Sequence, residues 1–318
     1  MRILLWTGHA RAELIARLGA IAGVELVVID DAQALAREAA SADALVCTDF
    51  VYTAEVAALL ARDANRLKWI QLLTAGYDGA LAYGVKPGVV LTNAGDALTP
   101  AVAMHAVALL LALQRRFPVF LANQRAHEWD RRAIPQMVAP AGSTIAIVGF
   151  GSIGREIARL LREFGARIIG LSRTAAPHPL ADEVARPADL AAILPRADAI
   201  VLSLPLTAAT QHLIGARELA LCKRSAILVN IARGGIVDHV ALAEALKNGV
   251  IAGAGIDVTE PEPLPREHPL WDAPNFILSP HLAGAVGPIG LRRLADMAGE
   301  NVERFIAGKE LAHRIALQ

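Results

Sequence analysis

The stretch Thr144–Ser172 reads TIAIVGFGSIGREIARLLREFGARIIGLS. The apolar run TIAIV leads into three glycines spaced G-x-G-x-x-G, and a helical pattern and a second apolar run, ARIIGLS, follow them. Glycine at these positions permits a tight turn, lets a pyrophosphate approach the backbone and allows the helix to pack closely on the strand. The first N–H groups of the helix have no partner within it, so they attract an anion. The stretch therefore predicts a dinucleotide site that is formed by Gly149, Gly151, Ser152, Ile153 and Gly154.

The same alternation of short apolar runs and helical patterns extends along the whole chain. A first series of predicted strands lies near Ile3–Trp6, Val24–Ile29, Ala44–Cys47, Lys68–Leu72 and Val89–Thr92. A second series lies near Thr144–Val148, Arg167–Leu171, Ala199–Leu204, Ala226–Asn230, Gly253–Val258 and Phe276–Ser279. Because strands joined by helices form parallel sheets that are covered on both faces, the sequence predicts an α/β fold with two doubly wound parallel-sheet domains.

Two helical segments indicate how the chain is divided between these domains. Thr99–Ala126 is helical in pattern, although Pro118 should break or kink it, and we expect it to bridge the domains. Ile289–Ala307 is apolar at helical spacing, and its return to the first domain would make that domain discontinuous. We therefore predict one domain from residues 1–98 and 288–318, and a dinucleotide-binding domain from residues 99–287.

The composition excludes several classes of protein. With 54% hydrophobic and 19% charged residues, the 318-residue chain is globular rather than disordered. Lys+Arg and Asp+Glu both number 31, so no overall basic field would attract nucleic acid or a membrane surface. The longest apolar stretch, Ala101–Leu113, is shorter than the ~20 residues that a membrane span needs.

The termini and cysteines indicate the compartment. The N-terminal residues, MRILLWTGHA, lack the pattern of a signal peptide. The two cysteines, Cys47 and Cys222, are too few for a disulfide framework and lack the spacing of a thiolate metal site. We therefore expect a cytoplasmic protein without a bound metal.

The segment after the second strand of the dinucleotide unit bears on the choice of cofactor. Where an acidic residue would accept the ribose 2′-OH of NAD, the sequence has Ser172, Arg173 and Thr174. The lost carboxylate would no longer repel a 2′-phosphate, and the guanidinium could pair with it. This pattern favours NADP(H) over NAD(H), and the alternative is a solvent-exposed loop arginine without a ligand.

Three polar side chains follow predicted strands of the second series. They are Arg233 in NIARGGIVD, Glu262 in GIDVTEPEPLP and His281 in FILSPHLAG. Open α/β sheets bind ligands at the carboxyl ends of their strands, so the three can converge on one ligand. Two alternatives remain: Glu260 lies close enough in sequence to be mistaken for Glu262, and Arg233 could have a purely structural role.

Other polar residues have ordinary structural interpretations. Asp238 begins a helical pattern and is expected to be its N-cap. His105, His212 and His268 lie in helical or loop contexts and are expected to be packing or surface residues.

The chain resembles the D-isomer-specific 2-hydroxyacid dehydrogenase family, and in particular its glyoxylate/hydroxypyruvate reductases. The resemblance covers nearly the whole chain through the segments TAGYDG, NAGDALTPAVAMHAVALLLAL, VGFGSIGREIA, SLPLT, NIARGGIVD, GIDVTEPEPLP, SPHLAG and GENVERFIAGKEL. Two positions depart from the family pattern. Met104 stands where many relatives have glutamate, and the Ser172–Arg173 pair replaces the commoner acidic cofactor residue.

The resemblance implies a Rossmann cofactor domain, a flavodoxin-like substrate domain and reduction of a small 2-keto acid to its D-2-hydroxy acid. His281 would donate the proton, Glu262 would hold the imidazole protonated, and Arg233 would bind the substrate carboxylate. The backbone of Ala75 and Gly76 would also bind that carboxylate, and Asp257 would contact the nicotinamide carboxamide. Family members usually associate as homodimers, and Trp129 is expected at the dimer contact.

Two other functions stay open at this point. The chain could be a non-enzymatic module that binds a dinucleotide and recruits a partner, although such a sensor would not need Arg233, Glu262 and His281 together. It could also be a dehydrogenase of the same family that acts on a different small anion.

Overall fold

The protein is described by a computed structural model that covers residues 1–316. The chain divides into two compact units. One consists of Met1–Leu98 and the segment that begins at Val286, and the other is Thr99–Ala285. Leu317 and Gln318, which end the predicted substrate domain, lie outside the described residues.

The first unit is built around a parallel sheet. Its strands are β1 (Arg2–Trp6), β2 (Glu25–Val28), β3 (Ala44–Cys47), β4 (Trp69–Leu72) and β5 (Val90–Thr92), in the order β2-β1-β3-β4-β5. The helices between them are α1 (Arg11–Gly19), α2 (Ala32–Glu38), α3 (Ala54–Leu60) and α4 (Asp78–Tyr83). The central strands β3 and β4 are buried at every residue, as expected for a parallel sheet that is covered on both faces.

The second unit contains a larger parallel sheet. Its strands are β6 (Thr144–Val148), β7 (Arg167–Leu171), β8 (Glu183–Ala185), β9 (Ala199–Leu202), β10 (Ile227–Asn230), β11 (Gly253–Ile256) and β12 (Phe276–Leu278). Its helices are α5 (Thr99–Gln114), α6 (Phe117–Ala126), α7 (Ser152–Glu163), α8 (Leu190–Ile193), α9 (Ala216–Leu221) and α10 (His239–Lys247). The strand order is β12-β11-β10-β9-β6-β7-β8. The direction of winding reverses between β6 and β9, and open α/β sheets bind ligands beyond the carboxyl ends of the strands at such a point.

These two sheets confirm the predicted fold of two doubly wound parallel-sheet domains. Strand β8 was not predicted, because its three residues are too few to show a period. The helical segment that begins at Thr99 is broken at Arg116, which has a φ of 60° and precedes α6. Pro118 lies in the first turn of α6, where its missing N–H costs no hydrogen bond, so the break comes just before the proline.

The last helix, α11 (Pro288–Ile306), packs on α1 of the first unit. A Cβ at Gly299 would lie 2.6 Å from Cζ of Arg17, so glycine allows the arginine to cross α11 at close range. The Arg17 Nη2 also lies 2.7 Å from Oε1 of Glu303. Both ends of the chain therefore contribute to this unit.

Within residues 1–316, no single helix is both long and apolar enough to cross a membrane. Helices α5 and α6 pass the length and composition test only as a pair, and they are bent by 61° at the break between them.

Candidate active site

The glycine turn lies between β6 and α7, and its three glycines have different surroundings. Gly149 has a φ of 97°, and a Cβ there would lie 2.3 Å from the carbonyl oxygen of Ser203. A Cβ at Gly154 would lie 2.2 Å from the Gly149 oxygen. A Cβ at Gly151 would meet nothing within 4 Å. The first and third glycines are therefore required by the fold, whereas the second leaves space above the backbone.

This open space lies at the start of a helix. Gly151 is the N-cap of α7, and Ser152 and Ile153 are its first two residues, so their N–H groups point out of the helix. The Ser203 hydroxyl donates to the Gly149 carbonyl oxygen at 2.7 Å and fixes the turn from the neighbouring strand. An open glycine beside unpaired helical N–H groups fits the phosphates of a dinucleotide.

The predicted cofactor-selecting residues follow β7. Ser172 is half-buried, and its hydroxyl lies 3.3 Å from that of Thr174. Arg173 is exposed to solvent. The structure therefore presents two hydroxyls and a guanidinium at the end of this strand.

Arg233 follows β10 in a tightly packed loop. The buried side chain of Asn230 donates to the Arg233 carbonyl oxygen at 2.9 Å and accepts from the Ala232 N–H at 3.0 Å. A Cβ at Gly234 would lie 2.1 Å from the carbonyl carbon of Thr259, so only glycine lets this loop contact the one after β11. The close packing of these loops brings Arg233 near the glutamates that follow Thr259.

Of those two glutamates, Glu262 is the one that contacts His281. Its Oε2 lies 2.9 Å from His281 Nδ1, and its Oε1 accepts from the Thr259 N–H at 2.9 Å. Glu260 instead lies 3.2 Å from the side-chain amide of Gln211. The backbone bond from Thr259 holds the Glu262 carboxylate in place against the imidazole.

The contact between Glu262 and His281 shifts the pKa of both groups. The hydrogen bond that the His281 imidazole donates to Glu262 raises the pKa of His281 above its usual value, against burial and the charge of Arg233, which lower it. Burial raises the pKa of Glu262, but the hydrogen bonds from His281 and from the Thr259 N–H outweigh it and lower the pKa overall. Arg233 acts electrostatically on both groups, so the three predicted side chains form one cluster.

The backbone of His281 has a φ of 55°, in the left-handed region that few residues other than glycine adopt. Asp257, which follows β11, stabilises this turn. Its carboxylate accepts from the N–H groups of Leu282 and Ala283, both at 2.8 Å, and its carbonyl oxygen accepts from the His281 N–H at 2.7 Å. Asp257 was predicted as a cofactor contact, and the structure additionally bonds it to the turn that bears His281.

One polar contact of this region was not predicted. The Nε2 of His105 lies 2.8 Å from the Ser279 hydroxyl and 3.4 Å from Oδ1 of Asp257. From the sequence alone, His105 is expected to be a packing or surface residue, because an isolated histidine in an apolar helix usually is one. The sequence contains one signal for this contact. His105 lies four residues before Leu109, so both share the face of α5 that packs on the sheet.

Ala75 and Gly76 belong to the first unit, in the loop between β4 and α4. Asn93 Nδ2 donates to the Ala75 carbonyl oxygen and the Thr74 hydroxyl donates to that of Gly76, both at 2.8 Å. Both carbonyl groups are thus bonded to neighbouring side chains of the same unit.

The remaining polar predictions concern Asp238 and metals. Asp238 is the N-cap of α10, as predicted, because its carboxylate accepts from the N–H groups of Val240 and Ala241. In the part of the chain that the structure describes, no group of three or more His, Cys, Asp or Glu residues is placed to hold a metal ion.

Comparison with known families matches the second unit to one model. Residues 107–283 match the model described as "D-isomer specific 2-hydroxyacid dehydrogenase, NAD binding domain". The match includes the glycine turn, the cluster of Arg233, Glu262 and His281, and Asp257.

Individual relatives agree with this match. A glyoxylate reductase of Thermococcus gammatolerans is 42% identical over 255 residues, which cover 78% of this chain and 75% of the relative. Among solved structures, a D-isomer specific 2-hydroxyacid dehydrogenase family protein from Aeromonas salmonicida has a TM-score of 0.86 and 30% identity, covering 100% of this chain and 99% of that one. An NADPH-dependent glyoxylate/hydroxypyruvate reductase from Sinorhizobium meliloti, in complex with NADP and sulfate, has a TM-score of 0.83 and 28% identity, covering 99% and 98%.

Proposed function

Because the chain belongs to the D-isomer specific 2-hydroxyacid dehydrogenase family, and so is an NAD(P)-dependent oxidoreductase acting on CH–OH groups, we propose that it reduces a small 2-keto acid of the glyoxylate or hydroxypyruvate type. The product is the D-2-hydroxy acid. The proposal rests chiefly on one observation, the hydrogen bond of 2.9 Å between His281 and Glu262 beside Arg233.

In this proposal, His281 is the general acid. When bound, the nicotinamide supplies a hydride to the carbonyl carbon of the substrate. His281 donates a proton to the carbonyl oxygen, which becomes the hydroxyl group. We assign this donation to Nε2, because Nδ1 is bonded to Glu262. The raised pKa keeps more of the imidazole in its protonated, proton-donating form near neutral pH.

Arg233 binds the substrate carboxylate in this proposal. Its planar guanidinium can donate two parallel hydrogen bonds to a carboxylate and can also polarise the neighbouring carbonyl group. The backbone of Ala75 and Gly76 is proposed for the same carboxylate, on the resemblance of TAGYDG alone.

The cofactor in the proposal is NADP(H), favoured over NAD(H). The space above Gly151 and the first N–H groups of α7 suit a pyrophosphate. The exposed Arg173, with Ser172 and Thr174 beside it, suits a 2′-phosphate, and no acidic residue of this segment opposes it. The relative from Sinorhizobium meliloti, which is described as NADPH-dependent, supports this preference. Asp257 remains the proposed contact for the carboxamide through its Oδ2, which accepts from the Ala283 N–H and can accept a second hydrogen bond.

We extend the proposal to a cytoplasmic homodimer. The side chain of Trp129 is 96% exposed, which is unusual for a tryptophan and is consistent with a surface that a second copy covers. The balanced charge of the chain gives no basic surface field for nucleic acid or membranes.

The experiment that tests this function measures initial rates of nicotinamide oxidation with NADPH and with NADH, over a panel of 2-keto acids. We expect turnover with glyoxylate or hydroxypyruvate, faster with NADPH, and a large rise in KM for the keto acid in Arg233→Ala. Tight NADPH binding without turnover on any keto acid would contradict the proposal and favour a dinucleotide-binding sensor or a different anion as substrate.

A further inference from the structure

Helix α5 brings one histidine to the carboxyl ends of β11 and β12. His105, Leu109 and Leu113 follow one another at intervals of four residues and so share one face of the helix. This face packs on β11, where a Cβ at Gly255 would lie 3.0 Å from Cδ1 of Leu113 and 3.2 Å from Cβ of Leu109. Glycine in the strand thus allows the helix to approach closely enough for His105 to reach Ser279.

The direction of the hydrogen bonds between these residues follows from their chemistry. The Ser279 hydroxyl donates its only hydrogen to Oδ1 of Asp257, at 2.6 Å. The hydroxyl must therefore accept the hydrogen of His105 Nε2, which lies 2.8 Å away. The same Asp257 carboxylate accepts the N–H groups of Leu282 and Ala283, directly after His281.

We propose that His105 is a positioning residue for the reaction, which acts through Ser279 and Asp257 on the turn that holds His281. The three residues form a continuous hydrogen-bonded chain, hereafter the His105 chain, from helix α5 to that turn. Without the imidazole donor, the Ser279 hydroxyl loses one of its two partners, and its bond to the Asp257 carboxylate is held less firmly. The turn, whose left-handed residue is intrinsically unfavourable, then loses part of its support.

The consequence for His281 is a change in geometry. Its Nδ1 is 2.9 Å from Glu262, and a displacement of its backbone lengthens this bond. Displacements of about 1 Å at a reacting group can lower rates by about 10²-fold, so even a partial loosening of the turn is measurable. Glu262, Arg233 and Asp257 act electrostatically on His281, and a shift of the imidazole relative to them changes its pKa.

The test compares His105→Leu with His105→Gln. Leucine removes the donor. The side-chain amide of glutamine lies about as far from the backbone as Nε2 of histidine, so it can still donate to Ser279. The matched control is Met104→Leu, on the exposed side of the same helix. Ser279→Ala and the double variant His105→Leu/Ser279→Ala complete the set.

We expect His105→Leu to lower kcat about tenfold or more, with the NADPH dissociation constant close to wild type, and His105→Gln to restore most of the rate. Because both residues act through the His105 chain, the kcat of the double variant should be close to that of the slower single variant. Wild-type kcat in His105→Leu, equal impairment in His105→Gln, or additive effects in the double variant would each overturn the proposal.

A second measurement does not depend on turnover and so separates this inference from the proposed function on which it rests. An NMR titration of the His281 imidazole should give a lower pKa in His105→Leu than in wild type, because its bond with Glu262 is weakened, and a restored pKa in His105→Gln. An unchanged His281 pKa in His105→Leu overturns the positioning role. Absence of wild-type turnover on all keto acids would instead contradict the proposed function alone.

Discussion

His281 depends on Glu262 for the shift of its pKa. The Glu262 hydrogen bond is the largest contribution that raises this pKa, and it acts on the protonated imidazole. The proposed reduction needs the protonated imidazole, so kcat/KM should fall as pH rises through the raised pKa. In Glu262→Gln the pKa returns toward its ordinary value, and the alkaline limb of the profile should move to lower pH. Rates measured from about pH 5 to about pH 9 check this, because that range includes the ordinary histidine pKa of about 6.5.

Glu260→Gln is the matched control for this experiment, because Glu260 lies in the same loop and contacts Gln211. Its pH profile should coincide with that of wild type. If both variants shifted the alkaline limb equally, the assignment of Glu262 to the imidazole would be wrong.

Removal of the imidazole tests the general acid directly. His281→Ala should lower kcat by about 10²-fold or more, the usual contribution of general acid catalysis. The NADPH dissociation constant, measured by fluorescence, should stay near wild type, since the glycine turn is untouched. A variant with undiminished kcat would rule out proton donation by His281.

Arg173 is the residue on which the proposed preference for NADP(H) rests. Arg173→Ala should lower the affinity for NADPH by about 10- to 10²-fold, because a hydrogen-bonded charge pair with the 2′-phosphate contributes about 1.5–3 kcal/mol. The affinity for NADH should change little. Equal losses for both cofactors would show that the arginine does not discriminate between them.

At the scale of the element, the glycine turn separates a folding role from a binding role. A Cβ at Gly154 would lie 2.2 Å from the Gly149 oxygen, whereas a Cβ at Gly151 meets nothing within 4 Å. Gly154→Ala should therefore lower the free energy of unfolding by about 1–3 kcal/mol, the usual cost of overpacking. Gly151→Ala should unfold at the wild-type temperature but bind NADPH more weakly, because its methyl group occupies the space of the phosphates.

Calorimetry and NADPH titration of both variants measure these two effects. The free energy of unfolding must be measured without cofactor, because a bound ligand stabilises the folded state by mass action. Wild-type NADPH affinity in a folded Gly151→Ala variant would contradict the assignment of the pyrophosphate to this turn.

At the scale of the whole molecule, the exposed Trp129 bears on assembly. We expect light scattering at micromolar concentration to give twice the mass of one chain. Trp129→Glu should shift the protein toward the monomer, and Phe164→Glu, at another exposed aromatic residue, should not. A monomeric mass for the wild-type protein would contradict the proposed homodimer.

The sequence by itself determined most of the strands of both sheets and the glycine turn, and it indicated Arg233, His281 and a glutamate at position 260 or 262 as site candidates. These features are local or periodic: each strand, helix and turn shows its own pattern, and polar side chains after buried strands stand out from it. Strand β8 was missed because so short an element leaves little periodic signal. The helix break predicted at Pro118 comes two residues earlier, at the left-handed Arg116.

Only the tertiary structure decided which polar groups touch. It put Glu262 rather than Glu260 against His281, bonded Asp257 to the turn after His281, and brought His105 to Ser279, which lies 174 positions along the chain. Such bonds form only when the distance between two packed elements is correct to a few tenths of an ångström. Helix α5 reaches this distance from β11 because Gly255 has no side chain. That distance depends on the side chains of both elements at once, so no pattern within either segment contains it.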